Sequence, residues 1–173
     1  MAHRNILGLV LIISLFTPLA RAATFNVSGS TLQINLTAAN ETVAVTAGAT
    51  NYTFALTGGT WSGTDSADAT GNGTASLSAV QASFTAVTID DGSTGNAVTF
   101  NTSGANTYSS NFTITLDNAA AGAITFNGNT AFTGSAALST STSKNIVVNS
   151  AAVVSTVNGD LSLQANQQAT PTS

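Results

Sequence analysis

Two groups of carboxylates are the first feature of this chain that chemistry could use. Asp90-Asp91-Gly92 follows an alternating apolar run that ends at Ile89, and Asp65 and Asp68 precede Gly71-Asn72-Gly73. Oxygen donors beside tight turns are what a hard cation such as calcium takes as ligands. Neither spacing matches the EF-hand order or the Gly-Gly-x-Gly-x-Asp calcium repeat, and Asp before Gly is ordinary turn chemistry. The acids therefore read as scattered turn formers. No metal or cofactor is expected, and melting is expected to be nearly independent of calcium.

Aromatic rings offer a second kind of chemistry, stacking on sugars. Tyr52, Trp61 and Tyr108 are the candidates. Tyr52 alternates in register with Phe54 and Leu56 and belongs with a core. Trp61 lies in an irregular stretch, Thr60 to Ala75, rich in Gly, Ser, Thr and Asp; this reads as a protruding loop with an accessible indole between Gly59 and Gly63. Trp61 is the best single contact candidate.

Catalysis lacks its usual side chains. Cysteine is absent, and the one histidine, His3, falls in the N-terminal stretch from Met1 to Ala22. That removes the common general base, zinc ligand and thiol nucleophile. No catalytic residue is assigned, and the chain is not expected to be an enzyme.

The stretch from Met1 to Ala22 carries His3 and Arg4, an apolar run from Ile6 to Phe16, and an Ala20-Arg21-Ala22 end. This is the layout of a secretory signal, and the run is shorter than the about 20 residues of a bilayer span. Secretion is expected, with the product extracellular or at the cell surface and not inserted in a membrane. Residues 23–173 then form a single domain with Lys144 as its only basic side chain against seven acids. Nucleic acid is excluded as a partner, because phosphate binding draws on several Lys or Arg contacts. Stability must come from packing and backbone ladders, since no disulfide can form.

The elements that would position these residues are short strands. Leu32, Ile34 and Leu36 alternate with Gln33 and Asn35. The same period of two recurs at Val43 and Val45, Tyr52 to Leu56, Val87 and Ile89, Val98 and Phe100, Phe112 to Leu116, Ile124 and Phe126, Ile146 and Val148, and Leu161 and Leu163, with the β-branched pair Val153 and Val154 between the last two. Thr, Val, Ile and Phe dominate them, as a pleated, half-buried surface requires. Gly58-Gly59, Gly71-Asn72-Gly73, Gly95-Asn96, Asn127-Gly128-Asn129 and Asn158-Gly159 supply the turns. Asn-x-Ser/Thr triplets at Asn26, Asn35, Asn40, Asn51, Asn72, Asn101 and Asn111 are what chance yields in so Asn-, Ser- and Thr-rich a chain.

Corresponding positions recur loosely, and a unit of roughly 20 residues with two or three strands would generate the pattern. The expected fold class is all-β: a parallel β-helix (β-solenoid), with an antiparallel β-sandwich as the alternative. Leu161 to Ala165 form a full strand pattern followed only by a short polar tail containing Pro171. An uncovered last strand exposes unpaired backbone groups. The domain is therefore expected to be the N-terminal part of a longer solenoid or to associate end to end.

Ala123-Ile124-Thr125-Phe126-Asn127-Gly128, Lys144-Asn145-Ile146-Val147-Val148-Asn149 and the run from Val157 to Ala165 resemble the coils of large secreted bacterial proteins of the filamentous haemagglutinin and autotransporter-passenger type. The resemblance covers roughly residues 80 to 166 and is compositional. It implies a right-handed parallel β-helix serving as a stalk or surface adhesin, with a surface glycan or protein as its ligand. The competing expectation is a carbohydrate-binding β-sandwich centred on Trp61.

Overall fold

A computed structural model describes residues 22–100, 106–118 and 122–166; most of the signal-like segment, Asn101 and the tail with Pro171 lie outside them. The described chain is all-β, with one short 3-10 turn at Gln81–Ser83. No helix among the described residues is long and apolar enough to cross a membrane.

The N-terminal portion folds as antiparallel hairpins. β1 (Ala22–Ser28) turns back into β2 (Thr31–Leu36) through Gly29, whose φ of 59° is in the left-handed region. β3 (Thr42–Ala47), β4 (Asn51–Thr57) and β7 (Ser76–Val80) pair antiparallel in succession. Between β4 and β7 lie two short strands, β5 (Thr60–Ser62), parallel to β1, and β6 (Ala69–Thr70), antiparallel to β7.

From Ala86 onward every described pairing is parallel, and the chain visits three sheets in a fixed order. β8 (Ala86–Asp91), β9 (Ala97–Phe100) and β10 (Thr107–Tyr108) make the first circuit. β11 (Asn111–Leu116), β12 (Ile124–Phe126) and β13 (Thr130–Phe132) make the second. β14 (Leu138–Thr142), β15 (Ile146–Val148) and β16 (Val154–Thr156) make the third, and β17 (Leu161–Gln164) begins a fourth.

Each strand sits in register on the one a circuit earlier. Ile89, Ile114, Thr140 and Leu163 form one such column. Val98, Ile124 and Ile146 form another. A circuit is thus somewhat longer than the unit that alternation alone suggested, and its length varies from one turn to the next. β2 and β3 take the place of an earlier circuit, pairing parallel with β8 and β9.

Alternation decides what is buried. Phe112, Ile114 and Leu116 turn inward while Asn111 and Thr113 face water. Stacked circuits bring like side chains together: Phe100 lies on Phe126 and Tyr108 on Phe132, with ring centroids 4.8 and 5.0 Å apart. These columns taper toward the last circuit. Phe100 and Phe126 are followed by Val148, Tyr108 and Phe132 by Thr156, and Phe112 by Leu138 and then Leu161. Among the described residues the exposed large apolar side chains, Val147, Val148, Val153, Val157, Leu161 and Leu163, all belong to that end.

Candidate functional site

Trp61 is not an accessible contact: it is 1% exposed. β5 runs beside β1 with Ala23 opposite Trp61, so the strand's alternation sends the indole inward between Thr60 and Ser62. Its Nε1–H donates to the Phe54 carbonyl at 3.0 Å, which satisfies the polar edge of a buried ring. Thr60–Ser62 and Ala69–Thr70 of this stretch are strands, while Thr64 to Ala67 and Asn72 to Ala75 stay exposed and irregular. Glycines there permit tight returns, with Gly73 N–H donating to the Trp61 carbonyl and Trp61 N–H to that of Thr74.

Tyr52 is core, as its register suggests, and so is Tyr108; their rings stack at 5.7 Å with planes 11° apart. The Tyr52 hydroxyl accepts from Ser109 N–H and Ser110 N–H at 3.0 and 3.1 Å and lies 2.9 Å from Ser110 Oγ. Burial pushes the Tyr108 phenol well above its ordinary range. None of the three rings offers a face to a sugar.

Two of the candidate acids serve turns. Asp65 Oδ1 accepts from Gly71 N–H and Asn72 N–H at 2.8 and 2.9 Å, and those bonds, led by that from Asn72, hold its carboxyl below the usual range. Asp68 Oδ1 accepts from Ser83 Oγ at 2.6 Å.

Asp90 and Asp91 differ from these because a third carboxylate joins them. Asp117 follows β11 directly, and one oxygen from each of Asp90, Asp91 and Asp117 lies within 4.8 Å of the other two. Asp90 and Asp117 are exposed, whereas Asp91 occupies an inward position of β8 opposite Leu36 and is 7% exposed. Asp91 Oδ1 accepts from Asp117 N–H at 3.1 Å and Asn118 N–H at 3.4 Å, while Oδ2 is buried without a partner among the described residues. Burial pushes the Asp91 carboxyl up to about 6; the two N–H groups oppose the rise, and the charges of Asp117 and Asp90 add to it. These three acids are therefore not scattered. Asp91 and Asp117 stand one full circuit apart at successive strand ends, a signal that the shorter repeat suggested by alternation hides.

No family model, curated protein or solved structure matches the chain.

Asp90 also borders a groove of about 330 Å³ on the outer face of β1, β2 and β8, lined by Thr24, Asn26, Gln33, Asn35 and Thr88 over Ile34. Asn26 Nδ2 donates to Gln33 Oε1 at 3.0 Å across the hairpin. Amides, hydroxyls and one carboxylate on a fixed sheet can exchange hydrogen bonds with a polar ligand, but the lining has no ring on which a sugar could stack.

Proposed function

We propose that this chain is an exported structural or adhesive surface module, a parallel β-helix capped at its N-terminal side by the antiparallel hairpins. One observation carries the reading: three parallel strand columns end in β15, β16 and β17, whose outer edges have no further strand among the described residues, while Val147, Val148, Leu161 and Leu163 on β15 and β17 stand exposed. Such an edge adds another strand layer readily, and the tapering columns leave room for its side chains. The parallel pairing beyond Ala86 favours the β-helix over the sandwich, whose antiparallel order is confined to the hairpins. Export rests on the signal-like residues 1–22, and the hydroxyl- and amide-rich groove supports contact with a polar surface ligand such as a glycan. The burial of Trp61 removes the contact on which a carbohydrate-binding sandwich would depend.

Sedimentation at increasing concentration tests the reading, alongside Leu161→Lys and Leu163→Lys. End-to-end association in the parent and its loss in both variants are expected. A parent that stays monomeric at all concentrations, or variants that associate equally, would sink it.

A further inference from the structure

We propose that Asp90, Asp91 and Asp117 bind one divalent cation, calcium by its chemistry, where two successive strands of the first sheet end. Calcium–oxygen distances of about 2.3–2.6 Å set two ligands of one ion up to roughly 5 Å apart. The 4.8 Å limit on the three carboxylate oxygens meets that geometry before any rearrangement.

The position of Asp91 is the independent argument. Its column is otherwise built for a core: Leu36 lies opposite on β2, and on the far side Leu116 follows Thr115, the partner of Asp90. A carboxylate placed there has one oxygen capped by two N–H groups and the other buried with no donor among the described residues. A buried charge without a partner is unfavourable, and two like charges beside it make it more so. Lys144 is the only basic residue of 22–166 and cannot neutralise three acids. A doubly charged ion would satisfy the orphaned oxygen and turn the mutual repulsion into shared coordination. It would also tie the end of β8 to the residue after β11, clasping one circuit to the next. Three carboxylates leave places for water, which suits the six to eight oxygens of calcium and its tolerance of irregular geometry better than the strict octahedron of magnesium.

Thermal melts of the purified full chain in EGTA, in 2 mM calcium and in 2 mM magnesium test the site, with Asp91→Asn and Asp117→Asn as variants. Asp91→Asn is isosteric and keeps the acceptor for both N–H groups; Asp117→Asn changes an exposed side chain. Calcium is expected to raise the melting temperature of the parent by about 5 °C or more, magnesium by less, and the rise is expected to vanish in each variant. A parent whose melting ignores calcium would overturn the proposal, even if acidification alone stabilised it, because the corner would then be relieved by a proton. An equal calcium-induced rise in both variants would overturn it too.

Discussion

Phe100 and Phe126 lie ring over ring, with centroids 4.8 Å apart and planes 13° from parallel. Their backbones are neighbours in a parallel pair, so the ring separation is the strand spacing itself. The column exists because two residues one circuit apart in sequence are alike and face the same way.

Truncating the middle of that column should be costly. Phe126→Ala is expected to lose about 3–5 kcal/mol, and Phe126→Leu considerably less, since the smaller change leaves less void. Urea unfolding of the two variants checks the order.

Tyr52 offers a polar counterpart. Tyr52→Phe keeps the stack on Tyr108 but removes the oxygen that accepts from Ser109 N–H and Ser110 N–H. Leaving buried donors unsatisfied costs about 1–3 kcal/mol, and denaturant titration should show a loss in that range with the fold retained.

The Asp91 carboxyl sets a pH dependence whose sign follows from its raised value. In the unfolded chain it titrates near 3.8 and in the folded chain near 6, so the folded state holds the proton more tightly. Stability from this group is fully present below the unfolded value and is lost as pH rises through the folded one. In EGTA, melting temperature should therefore fall between about pH 4 and pH 7, and Asp91→Asn should flatten that slope. A fall of equal size in the variant would show that Asp91 is not its source.

Gly159 marks a close approach between circuits. A Cβ there would run into the Ala136 carbonyl, which is backbone and cannot swing aside. Gly159→Ala should destabilise the chain by about 1–3 kcal/mol, an overpacking cost, and should loosen β17 before anything else. Limited proteolysis after Asp160 compared with the core gives the readout.

Much of the strand content was legible because alternation needs only neighbouring residues. Leu32 to Leu36, Tyr52 to Leu56 and Phe112 to Leu116 are strands where their pattern puts them. What escaped depended on distant partners. Thr60-Trp61-Ser62 is too short to show a period and becomes a strand only because β1 lies beside it. Thr130-Ala131-Phe132 and the hydroxyl-rich Leu138–Thr142 are held by circuits before and after them, so their own composition says little. The meeting of Asp91 with Asp117 required the length of a circuit, which loosely repeated apolar residues gave only approximately.

The tapering of the columns gives the molecule a direction in its fluctuations. Circuits that touch only their neighbours lose structure by fraying, and the boundary that frays first is the one with the least apolar contact. Phe, Tyr and Trp are concentrated toward the hairpin side, whereas Val148, Thr156 and Leu161 close the other. Amide protons should thus exchange as a front moving from β17 back toward β8, and gentle heating should shorten the ordered body one layer at a time before the hairpin end gives way.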